Sequence, residues 1–164
     1  MFVLAVKKHM GDNELRITKR HLPHWSLQNA TYFVIFRLDH GMMTIQEQII
    51  VRDHIVEGHS QFYTLIAVQA MPDHCHVIFM ADMGYDLERI MKGVKGVSAS
   101  KINAHRGVKG NVWQTESFDR IIRTEKELHG KLLYMLDNPM GAGLTEDRWN
   151  YPGWFCKEEF FRRS

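Results

Sequence analysis

His74 and His76 are the two residues of this sequence whose types and spacing most directly suggest chemistry. They stand in Met71-Pro72-Asp73-His74-Cys75-His76-Val77-Ile78-Phe79-Met80, which reads as a turn followed by a strand. Side chains alternate faces along a strand, so the two imidazoles point the same way, roughly 6–7 Å apart along the backbone. Cys75 and Val77 point the other way, into a core. Two imidazoles on one face of a rigid strand can share a divalent metal. A chain with ten histidines also holds some His-x-His by chance, and a strand histidine is often a plain surface residue. Pro72-Asp73 supplies turn chemistry and so puts the pair at a strand end, where sites are commonly built.

A second constellation surrounds Tyr134. Thr124 and Glu127 have the spacing of a capping box, and the segment after them predicts a helix to Asn138, closed by Pro139. At about 100° per residue, Leu128, Leu132, Leu133, Met135 and Leu136 fill one broad apolar arc. Tyr134 lies nearly opposite the centre of that arc, with Glu127, Lys131 and Asn138 beside it. Tyr134 and Asn138 are four apart and therefore neighbours on one helix face. Tyrosine can offer a nucleophilic oxygen, and asparagine an amide oxygen to a hard cation. Taken alone, the pair reads rather as an amphipathic surface tyrosine and a helix-ending asparagine.

The elements that must position these groups can be read from the same sequence. At 164 residues the chain is expected to form one domain, 1–164, with its own core. Residues 1–29 read as an N-terminal arm and 150–164 as a C-terminal tail. Thr31–Leu38, rich in aromatic and β-branched residues, predicts a strand that Asp39-His40-Gly41 ends. Thr44 and Glu47 form a capping box for a helix to about Glu57, stopped by Gly58. Gln61–Ala70 predicts a strand joined to the His74–Met80 strand as a hairpin. Asp86 caps a second helix with Leu87, Ile90, Met91, Val94 and Val97 at helical spacing. Gly93 and Gly96 weaken it and mark close packing or a bend, with Ser98–Ala104 continuing after a break. Val112–Ile122 reads as loop plus a last strand. The order β-α-β-β-α-β plus a helix is that of an α+β, ferredoxin-like or RRM-like antiparallel sheet, with helices on one face and an added C-terminal helix.

Composition bounds the function. No apolar run has transmembrane length and no signal-peptide pattern is present. Cys75 and Cys156 are the only cysteines, and Cys75 reads as a buried strand residue, so a disulfide framework is not expected and a reducing cytoplasm is the default. The net charge of +2 is uninformative, but its distribution is not. Arg89, Lys92, Lys95, Lys101, Arg106 and Lys109 fall in a stretch to Thr115 without Asp or Glu. Such a stretch is a candidate phosphate-binding surface, or else a solvated helix face.

Together these motifs resemble a family: the HUH-type single-tyrosine transposases, and most closely the REP-associated tyrosine transposases of bacteria. Leu22-Pro23-His24-Trp25 resembles the family's entry motif and Tyr32–Leu38 its first strand, with Ile35 where threonine is expected. Met71–Val77 resembles the HUH strand, with Cys75 as the apolar middle residue. Trp113-Gln114 and Phe118–Arg123 resemble the segment before the catalytic helix. Tyr134–Pro139 resembles the tyrosine motif, and Gly141-Ala142-Gly143-Leu144 the segment just after it.

The resemblance implies metal-dependent cleavage and joining of single-stranded DNA. Tyr134 would be the nucleophile, forming a 5′-phosphotyrosine, and His74, His76 and Asn138 would hold Mg²⁺ or Mn²⁺. The implied partner is a single-stranded DNA hairpin with a flanking guide sequence, with no membrane. The implied enzyme is a cytoplasmic, nucleoid-associated monomer or a homodimer that exchanges the tyrosine helix. A domesticated, catalytically silent binder of structured DNA or RNA is the alternative, and the intact His74, His76, Tyr134 and Asn138 argue against it. A closed structural zinc site is not expected, because only two histidines sit close together and both cysteines are isolated.

Overall fold

Thr31–Leu38 organises the fold because its alternation feeds two cores at once. Val34, Phe36 and Leu38 face one side of a sheet, and Phe33 and Ile35 face the other. The computed structural model describes residues 15–16 and 30–163. Its elements are β1 (Leu15–Arg16), β2 (Thr31–Leu38), α1 (Ile45–Glu57), β3 (Tyr63–Ala70), β4 (His74–Ala81), α2 (Leu87–Arg106), β5 (Trp113–Ile122), α3 (Glu125–Gly141), β6 (Trp154–Cys156) and β7 (Arg162–Arg163). The main sheet has the order β5-β2-β4-β3-β6, antiparallel throughout, and β1 pairs with β7. The Leu22–Trp25 motif lies outside the described residues.

Helices α1 and α2 cover one face of the sheet. Val51 and Ile55 of α1 and Ile90, Met91, Val94 and Ile102 of α2 pack on Phe36, Val68, Cys75, Val77 and Phe79. Helix α3 covers the opposite face, where Leu128, Leu132, Met135 and Leu136 meet Phe33, Ile66 and Ile78. This is the expected α+β antiparallel architecture, with the added helix on the face opposite α1 and α2. Cys75 and Cys156 belong to cores on opposite sides of the sheet, and both are free thiols.

Four local expectations need correction. Helix α2 runs unbroken through Gly93 and Gly96, and a Cβ at either would meet nothing, so neither marks close packing. Val97 is exposed; the buried position on that turn is Ser98, whose hydroxyl accepts from Trp113 Nε1 at 3.0 Å. The α3 cap is not a reciprocal box: Thr124 Oγ1 accepts from Glu127 N, but the Glu127 carboxylate reaches back to Arg123 N and Arg120. Finally, α3 continues through Pro139 to Gly141. Proline removes the donor that Met135's carbonyl would have used. A side chain from the sheet replaces it: Gln69 Nε2 donates to Met135 O at 3.0 Å.

The C-terminal tail packs rather than projecting. Trp154–Cys156 adds a fifth strand against β3, and Gly153 O accepts from Ala70 N at 2.9 Å. A Cβ at Gly153 would collide with the Ala70 carbonyl, so only glycine permits this approach.

Candidate active site

The site lies where β4 faces α3. β4 begins straight after the Met71–Asp73 turn, which Met71 N closes by donating to His74 O at 2.8 Å. His74 and His76 then point to the α3 side, while Cys75 and Val77 enter the α1/α2 core, as alternation predicts. The His74 and His76 Nε2 atoms converge to 2.8 Å. Two nitrogens bound to one cation at about 2.1 Å and at right angles stand about 3 Å apart, so the pair fits two adjacent positions around a divalent ion.

The other ring nitrogens differ. His74 Nδ1 lies 2.6 Å from Asp73 Oδ1. A carboxylate there accepts the Nδ1 proton and turns the Nε2 lone pair toward the shared point. Burial alone would raise the Asp73 carboxyl, but the hydrogen bond and charge of His74 outweigh it and hold it below its ordinary value. His76 is 1% exposed, and its Nδ1 is buried without a hydrogen-bond partner. Burial, reinforced by His74, Arg37 and Lys131 nearby, depresses the His76 pKa to about 3. The ring therefore stays neutral near pH 7, the form that ligates metals.

Tyr134 is brought to the pair by α3. Its ring stands edge-on to His76, centroids 5.4 Å apart, and remains 50% exposed. Asn138 lies one turn further along α3 and is half-buried. Lys131, one turn before Tyr134, places its ammonium 4.7 Å above the Phe33 ring. Among the described residues no third His, Cys, Asp or Glu joins the two histidines.

The basic stretch is placed elsewhere. It lies on α2 and the following loop, across the sheet from His76 and Tyr134. Three of its members have intramolecular duties. Lys95 Nζ binds Gln114 O, Thr115 O and Ser117 Oγ at 2.6, 2.9 and 3.3 Å. Lys101 pairs with Glu57 at 3.2 Å. Arg106 closes on both Glu47 oxygens at 2.5 and 3.0 Å and on Met42 O. Arg89 lies over the Tyr85 ring, and Lys92 and Lys109 are exposed.

Two further residues belong to this site, Asp73 and Gln69. In the sequence Asp73 is a turn residue beside His74, and its contact with the ring appears only in the fold. Gln69 is a buried polar residue in an apolar strand, and only the register reveals that it stands opposite His76.

Residues 38–122 match the family described as IS200-like transposase, and the chain belongs to that family. The matched stretch holds both histidines and ends before Tyr134. A solved REP-associated tyrosine transposase bound to a REP hairpin is similar over 83% of this chain and 82% of its own, with 20% identity and a TM-score of 0.63. That likeness shows a shared fold. A structure described as a candidate transposase from Deinococcus radiodurans R1 aligns with 70% of this chain and 95% of its own, with 17% identity and a TM-score of 0.48. No curated protein matches the chain.

Proposed function

We propose that this protein cuts and rejoins single-stranded DNA at hairpin-flanked sites through a 5′-phosphotyrosine on Tyr134. One observation carries the reading: two histidine Nε2 atoms converge at 2.8 Å, with an exposed tyrosine packed against one of the rings. A tyrosine kept for packing alone would more often be buried than half exposed beside such a pair.

In this reading the Tyr134 oxygen attacks the scissile phosphorus. The oxygen–phosphorus bond forms, the bond to the 3′ oxygen breaks, the phenol proton leaves to solvent, and the departing oxygen is protonated to a free 3′-OH. The phosphotyrosine conserves the phosphodiester energy, so a 3′-OH can later attack it and rejoin the strand without a nucleotide cofactor. His74, His76 and the Asn138 amide oxygen would hold Mg²⁺ or Mn²⁺, and imidazole ligands favour Mn²⁺. When bound, the ion supplies positive charge at the phosphate oxygens. Asp73 orients His74, and Lys131 adds charge on the same side of the sheet.

The test is to incubate the protein and Mn²⁺ with single-stranded hairpins from the flanks of its own gene. A covalent protein–DNA adduct on a denaturing gel, present in wild type and absent in Tyr134→Phe, is expected. An adduct that survives Tyr134→Phe assigns the nucleophile to another residue.

A further inference from the structure

Gln69 owes its position to an irregularity in β3. The β3–β4 register shifts between Leu65 and Ala67, so Ile66 and Ala67 both face the α3 side. Bulges re-aim the side chains beyond them. Here Val68 and Ala70 face the α1/α2 core, and Gln69 stands toward α3, directly opposite His76.

Gln69 is fully buried. Its Nε2 donates to Met135 O, the carbonyl that Pro139 leaves without a helix donor. That bond fixes the amide's orientation, because only the nitrogen can donate to a carbonyl. The Gln69 Oε1 acceptor is therefore turned away from Met135, and it is buried without a partner. His76 Nδ1, on the residue paired with it across the sheet, is likewise buried without a partner; among the described residues the remaining such atom, His129 Nε2, lies elsewhere on α3 against Phe161. Opposite residues of an antiparallel pair have Cβ atoms only about 5 Å apart.

The two orphans answer a chemical need. If both Nε2 atoms ligate one ion, both rings must carry their protons on Nδ1. Asp73 receives the His74 proton. His76 requires a second acceptor, inside the protein.

We propose that Gln69 is a positioning residue that accepts the His76 Nδ1 proton when the ion binds, and ties that ligand to the backbone of the tyrosine helix at Met135. One side chain then sets the tautomer of a metal ligand and the seat of the helix that carries Tyr134. This rests on the metal reading of the preceding section.

The test uses the full chain. Mn²⁺ affinity is measured by electron paramagnetic resonance of the free ion for wild type, Gln69→Met and Gln69→Glu. Loss of an outer-shell partner weakens metal binding about 10- to 100-fold, and that loss is expected in Gln69→Met. Gln69→Glu, which keeps an acceptor and, when protonated, a donor for Met135, is expected to stay near wild type. In Mg²⁺-loaded wild type, ¹⁵N-histidine spectra should show the His76 proton on Nδ1 and hydrogen-bonded, and in Gln69→Met that proton should lose its hydrogen bond, a signature that a packing role would not dictate. Equal Mn²⁺ affinity in wild type and Gln69→Met overturns the proposal, as does a loaded His76 with bare Nδ1, which needs no folded variant. Absence of Mn²⁺ binding by wild type overturns the metal reading and this inference together, whereas binding unaffected by Gln69→Met overturns this inference alone.

Discussion

The His74 and His76 Nε2 atoms stand 2.8 Å apart at the head of β4, with His74 backed by Asp73. At that distance the nitrogens share either one proton or one cation, since two protons would clash. A ligand that binds only the folded state stabilises it, by about 2.7 kcal/mol at 100 times its Kd. Thermal melts should therefore rise with MnCl₂ and fall back with EDTA. His76→Ala should erase the response, and Asp73→Asn should weaken it. A melting curve indifferent to Mn²⁺ would speak against metal binding here.

Tyr134 allows chemistry and stability to be separated. Its ring contacts His76, but half of its surface is exposed. Removing the hydroxyl of this half-exposed residue should change stability by no more than about 0.5 kcal/mol. Tyr134→Phe should thus melt like wild type, retain hairpin affinity in a binding assay, and form no adduct. Loss of hairpin affinity in that variant would mean the hydroxyl contributes to binding as well as cleavage.

Arg106 and Glu47 predict an acid-sensitive fold. Glu47 is 3% exposed, and the Arg106 hydrogen bond is the main reason its carboxyl is held at about 2 rather than 4.5. A carboxyl depressed in the folded state stabilises it above the unfolded pKa, and that contribution is lost as pH falls from 4.5 toward 2. The shift corresponds to about 3 kcal/mol at neutral pH. Glu47→Gln keeps a capping-box residue while removing the charge. Its denaturant midpoint should fall less steeply than wild type's over this acid range; parallel profiles would show that Glu47 is not the group responsible. Arg106→Gln should cost about 3–5 kcal/mol, because it strands a buried carboxylate.

Much of this was legible in the sequence because it is local. The Thr44–Glu47 box and the Asp86 cap arise from short-range patterns and form as expected, and the His74–Met80 strand forms with one further residue, Ala81. The helix wheel put Tyr134 on the open face of α3, where it is. What could not be read depends on contacts distant in sequence. Pro139 ends a helix by local rules, yet α3 continues because Gln69 serves the stranded Met135 carbonyl. Trp154–Cys156 is short and ambiguous until the β3 edge offers it a partner. The basic stretch looked uniform, but Glu47, Glu57 and the β5 backbone engage three of its cations.

That division among the cations sets the last prediction. Lys92 and Lys109 are exposed, whereas Lys95, Lys101 and Arg106 bridge α2 to β5 and α1. If the α2 side carries DNA, these two exposed lysines should meet phosphate and the bridging ones should hold the fold. Each phosphate contact on a single strand contributes a slope of about −0.7 to log affinity against log salt. Lys92→Gln with Lys109→Gln should flatten the slope by about 1.4 if both touch phosphate. Lys95→Gln with Lys101→Gln should leave the slope nearly unchanged and lower thermal stability instead. The two histidines lie across the sheet, so Mn²⁺ affinity should not change in either double variant. Hairpin affinity measured at several salt concentrations decides the matter. An unchanged slope in the Lys92/Lys109 variant would assign this face to solvent and turn attention to the α3 side, where Lys131 and Arg37 flank the histidines.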